Sequence, residues 1–234
     1  MKSTLPRTIA CCLLLAALDA ATATDMLPLS QQCEEALALS AGPEPMRDGA
    51  GIYVLGKSGY EKTRESKNGY HCLVERNHPQ SIIPQCFDAA SRDANLASIL
   101  DEGRLLARGA SFAEVADYRQ QQRASGKLKL PAGPGVVYMV SDYNYIYVDG
   151  NEQLLKVAPH VMFHAPNLSN DDIASSPAAA MSNPGVPFVT AEGPHGFMTS
   201  FTRRAADSSA VVAACGDQLP SPANLRPFPP TAAP

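Results

Sequence analysis

Two histidines four residues apart, His160 and His164, stand in the densest β-forming stretch of the chain, residues 135–166 (GVVYMVSDYNYIYVDGNEQLLKVAPHVMFHAP). Ser141 and Asp142 lie just upstream, and together these side chains are the first place to look for chemistry. In a hydrolytic arrangement His160 is the general base, Asp142 or Glu75 orients it, and Ser141 or a water attacks. No G-x-S-x-G elbow supports this, and a Ser-Asp pair at a strand end is also ordinary turn chemistry. A thiol route through Cys72 with His160 requires Cys72 to be free of a disulfide. An extended strand places His160, Met162 and His164 on one face, with the two imidazoles roughly 13 Å apart, too far to share one ion. A metal would need further ligands such as His71, Met139 or His195, so no metal site is assigned and no motif indicates a cofactor.

Tyr143, Tyr145 and Tyr147 alternate along one strand and share a face. They read either as core packing with cross-strand partners or as an exposed aromatic strip that contacts a ligand, a glycan or a peptide. With His164 they form the candidate binding set. Residues 51–58, GIYVLGKS, match the letters of a phosphate-binding loop. The match is rejected, because Ile52 to Leu55 read as a strand and Gly59-Tyr60 leads into another, where that loop must feed a helix. Glu75, Arg76, Arg203 and Arg204 are expected to be solvated charges or surface ion pairs.

The elements that must position these residues follow from periodicity. Ser30 caps a first helix on which Cys33, Leu37 and Ala41 share a face, and Gly42-Pro43 stops it. Residues 51–55, 60–64 and 70–76 read as strands of an antiparallel meander, with turns at 56–59 and Asn68-Gly69. In the third of these, Tyr70, Cys72 and Val74 face one way, and His71, Leu73 and Glu75 the other. From Asp93 the period becomes helical through Leu96, Ile99, Leu100 and Leu106, ending at Gly109. Ser111 and Glu114 form a capping-box pair opening a second helix with Phe112, Val115 and Tyr118 aligned, ended by Gly126. Residues 136–140 read as a buried strand, residues 145–148 and 154–157 as a hairpin around Asp149-Gly150-Asn151, and residues 160–164 as a further strand. Residues 168–185 read as a long surface loop, and residues 188–190 and 197–202 as a closing hairpin. The fold class expected is α+β, a mainly antiparallel sheet with two or three helices packed on one side.

Lys2 and Arg7 precede an apolar run at residues 8–18, and Ala21-Thr22-Ala23 offers small residues to a signal peptidase. This predicts a secretory signal peptide over residues 1–23 and export to the periplasm or medium. The run is shorter than the roughly 20 residues of a membrane span. A lipoprotein reading through Cys11 is set aside because Leu13 to Leu18 continue the apolar run beyond it. Cleavage near Ala23 leaves 234 − 23 = 211 residues and, with Lys2, Arg7 and Asp19 gone, moves the charge from −4 to −5. That length suits a single domain over residues 24–215, with a disordered proline-rich tail over residues 216–234. A mildly acidic chain without a basic block argues against a nucleic-acid partner.

Cys33, Cys72, Cys86 and Cys215 then remain, an even number for an oxidising compartment. Their spacing leaves three connectivities open. The pairing expected is Cys72 with Cys86, closing a short loop, and Cys33 with Cys215, tying the two ends together, the longer loop contributing about 4 to 5 kcal/mol. Thiolate metal ligation is disfavoured because no C-x-x-C spacing occurs.

Asn68-Gly69 with Cys72-Leu73-Val74, Pro84 and Cys86 with Asp88, Tyr138-Met139 with Ser141, and Pro159-His160 with Met162-Phe163 and Ala165-Pro166 form an ordered set. On these residues the chain resembles a family of signal-bearing bacterial exported proteins of uncharacterised function, over most of residues 36–201. The resemblance implies a bacterial exported protein and adds weight to the Cys72–Cys86 pair and to His160. It carries over no activity, cofactor or partner. His164 stands where the family pattern has an aromatic residue, and Cys33 and Cys215 lie outside it. The reading reached is a binding module for a small ligand, glycan or partner protein near His160, with a hydrolase using His160 as base or metal ligand as the alternative.

Overall fold

The computed structural model describes residues 26–148, 154–183, 185–202, 204–220 and 225–228. The expected leader, the Asp149-Gly150-Asn151 turn and Arg203 lie outside the described residues. The chain runs α1 (Gln31–Ser40), α2 (Glu44–Arg47), β1 (Gly51–Gly56), β2 (Gly59–Arg64), β3 (His71–Glu75), β4 (Ile83–Phe87), α3 (Ala89–Ser91), α4 (Ala97–Ala107) and α5 (Phe112–Ala124). Then follow β5 (Val136–Met139), β6 (Tyr145–Ile146), β7 (Leu155–Val157), β8 (His160–His164), α6 (Pro177–Ser182), β9 (Phe188–Ala191), β10 (Phe197–Phe201), α7 (Ser209–Cys215) and β11 (Arg226–Phe228).

The α+β class holds: eight strands form one sheet in the order β2-β1-β3-β4-β5-β8-β10-β9, antiparallel except where β1 meets β3. β1 and β2 make the expected hairpin, but β3 does not continue the meander beside β2. The loop after Arg64 wraps the start of β1, held where Lys67 N–H donates to the Gly49 carbonyl and the Arg64 Nε–H to the Ala50 carbonyl. The chain therefore enters β3 on the far side of β1 and parallel to it. β4 is not among the strands expected, and its Pro84 is a residue that strands rarely hold. Proline is tolerated there because β4 meets β5 only at Cys86 and Phe87, past the proline.

Helices cover both faces, not the one side expected, because β3 carries side chains that need burial on each face. On the first face, Leu37 and Ala38 of α1 and Val211 of α7 pack on Ile52, Cys72 and Val74. On the second, Leu96 and Ile99 pack on Leu73, Phe87, Val137 and Met139. The alternation of β3 divides the two cores as read from its residue types. Both expected disulfides are formed: Cys72–Cys86 links β3 to β4 across a directly opposed pair, and Cys33–Cys215 ties α1 to α7.

The helix N-termini follow their signals. Ser30 accepts from Cys33 N–H, and the reciprocal Ser111–Glu114 capping box opens α5. Gly109 and Gly126 both take positive φ just past α4 and α5, as a left-handed helix stop requires. Gly103 serves a different end: a Cβ there would lie 2.4 Å from Cδ2 of Tyr60, so the glycine lets α4 close on β2.

Residues 168–185 are less loop-like than expected. They hold a 3-10 turn at Asp171–Ile173 and α6, opened by Ser176 and Pro177 at cap and first turn, with Ala180 fully buried. β6 and β7 pair as predicted, but in a separate three-stranded sheet completed by β11. The tail expected to be disordered thus supplies a strand at Arg226–Phe228, paired in parallel with β7 and placing Phe228 against Phe201. Among the described residues no helix is long and apolar enough to cross a membrane.

Candidate functional site

The second face of the sheet does not meet its helices everywhere. Between it and α4 and α5 lies a cleft of about 320 Å³, floored by Val137 and Met139 of β5, His160 and Met162 of β8 and Phe197 of β10. Strand alternation puts these side chains together: Met139 is opposite His160, and Val137 opposite Met162.

His160 is only 5 % exposed, and its Nδ1 lies 2.8 Å from the carbonyl oxygen of Ala158. A carbonyl only accepts, so Nδ1 carries the hydrogen and Nε2 keeps its lone pair. Burial lowers the imidazole pKa, and the Ala158 hydrogen bond opposes this only in part. The ring is therefore neutral and offers one acceptor. Among the described residues Nε2 has no hydrogen-bond partner, while Phe201 meets the ring edge-on at 6.1 Å.

One side of the cleft is a chain of polar groups joining sheet to helices. Arg119 of α5 bonds Glu75 of β3 at 2.5 Å and Glu102 of α4 through its Nε–H at 2.9 Å and its Nη2. Gln85 donates to the second Glu75 oxygen, and Ser98 donates to Glu102 at 3.1 Å. Burial raises the Glu102 pKa, opposed by the Arg119 hydrogen bonds and charge. The Glu75 carboxylate, with Glu102 behind it, raises that of Arg119. This network ties α4 and α5 to β3 along one side of the cleft.

The grouping of His160 with Ser141 and Asp142 is not assembled. Ser141 is fully buried and turned to the first face, where its Oγ receives hydrogen bonds from Ser40 Oγ at 2.7 Å and Tyr143 N–H at 3.1 Å. β5 ends at Met139, so strand alternation no longer governs where Ser141 points. Asp142 is half exposed and paired with Lys156 at 3.0 Å. Cys72 is bonded to Cys86 and has no thiol to offer.

The candidate binding set is dispersed as well. Tyr145 is fully buried in the first core, Tyr143 packs beside it, and Tyr147 stacks on His78 at 5.1 Å, 18° from parallel. β6 is only two residues long, too short to hold three tyrosines in one strip. His164 packs its ring 4.6 Å from Phe197, and both its nitrogens are buried without partners. Burial lowers its pKa, so it too is neutral. Arg76 is not solvated but 4 % exposed, and Glu75 is ion-paired with Arg119. Among the described residues no three His, Cys, Asp or Glu side chains gather closely enough to hold a metal.

Sequence reasoning missed Glu102, Arg119 and Gln85. A signal existed: Glu102 follows Ile99 by three and Arg119 follows Val115 by four, so each charge sits on the apolar stripe of its own helix. Gln85 had none, because β4 was not recognised.

No protein-family model, no curated protein and no solved structure matches this chain.

Proposed function

We propose that this chain is an exported binding protein that holds one small, mainly apolar molecule in the cleft between the sheet and α4–α5. The molecule donates an O–H or N–H group to His160 Nε2. The observation that carries this reading is the position of His160: a neutral, buried imidazole with a free acceptor, surrounded by apolar floor. Small-molecule sites are mostly apolar cavities of roughly 300–1,000 Å³ with a few fixed polar groups, and this cleft of about 320 Å³ is at the compact end of that range. Its small volume favours a compact ligand over a glycan or a partner protein, which need more surface. Export is supported by the leader-like residues 1–23 and by two disulfides, which persist in oxidising compartments.

N-phenyl-1-naphthylamine, a neutral apolar fluorophore with one N–H, tests the proposal. The protein should give a saturable, one-to-one fluorescence rise, and Met162→Trp, which fills the floor, should abolish it. Absence of saturable binding, or a Met162→Trp protein that binds like wild type, would remove the reading. Displacement of the bound probe then provides the assay for natural ligands.

A further inference from the structure

A second cleft, about 610 Å³, opens at the end of β3 beyond the first, bounded by Arg76, His78, Phe112, Val115, Ala116 and Tyr147. Its charge is one-sided: among the described residues that line it are two arginines, Arg76 and Arg119, and no acid. Arg119 is committed to Glu75 and Glu102. Among the described residues, Arg76 forms no ion pair with a carboxylate.

Arg76 is 96 % buried, since 4 % of it is exposed. Its Nη1 donates to the Ser81 carbonyl at 2.6 Å, its Nε–H is buried without a partner, and no acid among the described residues lies within ion-pair distance. A buried guanidinium in that condition is costly unless an anion joins it. Glu34 acts on Arg76 electrostatically but makes no ion-pair contact with it, its carboxylate accepting from Leu55 N–H instead.

The rest of the cleft suits an anion with an apolar body. Phe112 and Ala113 are the first two residues of the 13-residue α5, whose leading N–H groups lack intrahelical partners at the positive end of the helix dipole. Glu114 at that end is folded back onto Ser111. His78 Nδ1 accepts from Gln80 N–H at 3.2 Å, so the neutral ring carries its hydrogen on Nε2 and is a further donor. Its stack with Tyr147 makes one wall flat, and Phe112 and Val115 make another apolar.

We infer that this second cleft binds a monocarboxylate with an aromatic or aliphatic body, the carboxylate pairing with the Arg76 guanidinium. One positive charge without an ion-pair contact among the described residues suits one negative charge, and the planar fork of arginine matches a carboxylate in two-point contact. The inference is independent of the proposed ligand of the first cleft, which can be blocked separately by Met162→Trp.

The probe is 3-phenylpropanoate, compared by calorimetry with its neutral analogue 3-phenylpropanamide and with inorganic phosphate. The protein should bind the carboxylate at least about tenfold tighter than the amide, as hydrogen bonds to a charged group imply. Arg76→Gln should equalise the two, and Ala116→Phe, which fills the cleft and leaves Arg76 in place, should weaken both. Equal affinities in the unmodified protein, a preference that survives Arg76→Gln, or phosphate binding as tightly as the carboxylate each overturns the inference. If Arg76→Gln does not fold, the Arg76 Nε–H resonance of the unmodified protein decides. A shift with carboxylate but not with amide supports the site, and no differential shift rejects it.

Discussion

Nδ1 of His160 lies 2.8 Å from the carbonyl oxygen of Ala158, two residues back along the chain. This contact, closed just before β8 begins, assigns the hydrogen to Nδ1 and turns Nε2 into the acceptor of the first cleft. Nitrogen NMR should find Nε2 unprotonated at neutral pH, with a titration midpoint below the ordinary 6.5 because burial disfavours the imidazolium. A midpoint at or above 6.5 would contradict the assignment.

The same physics extends to acid stability. Burial leads the lowering of pKa at all five histidines, His71, His78, His160, His164 and His195. Below about pH 6.5 the unfolded chain takes up protons that the folded chain does not, so stability rises with pH through this window and is lost as pH falls. Glu34 and Glu102, whose folded pKa values lie above 4.5, hold extra protons when folded and act in the opposite sense at lower pH. Denaturant midpoints should fall between about pH 7.5 and 5.5, where histidine titrates, and His160→Gln should flatten the fall. A midpoint constant over that interval would count against these buried, neutral imidazoles.

Arg119 joins α5 to both Glu75 and Glu102. Arg119→Met leaves the buried Glu102 and the partly buried Glu75 carboxylates without their shared cation and should cost about 3 kcal/mol or more in chemical denaturation. Adding Glu102→Gln should recover part of the loss, because the repulsion is then removed. Independent, additive effects of the two changes would show that the network is not coupled.

The disulfides differ in the chain they close. Cys33 and Cys215 are 182 residues apart and Cys72 and Cys86 are 14 apart. On chain-entropy grounds, replacing the first pair by alanine should cost about 5 kcal/mol and the second about 3 kcal/mol. Equal costs, or the reverse order, would mean that packing around the sulfurs outweighs loop closure.

Much of this fold was legible locally. Tyr70 to Glu75 alternated correctly between two cores, Ser111 and Glu114 announced α5, and the even cysteine count pointed to two disulfides while leaving three connectivities open. What escaped depends on neighbours distant in the chain. The position of β3 is set by the 65–70 loop crossing the start of β1, and the tolerance of Pro84 by where β5 stops pairing. The candidate site shows the same limit. His160 was identified and does reach a cleft, but Ser141 answers to Ser40 of α1, and Tyr145 to a core built from both ends of the chain. Glu102 and Arg119 were visible as charges on apolar helix stripes, yet only the packing of α4 on α5 made them one network.

The central claim is that His160 Nε2 receives a ligand hydrogen bond inside the first cleft. The most direct measurement follows the Nε2 resonance of nitrogen-labelled histidine while N-phenyl-1-naphthylamine is titrated to saturation. The His160 signal should move upfield in step with probe fluorescence, and Met162→Trp should suppress both. A saturated protein whose His160 Nε2 signal has not moved would contradict it.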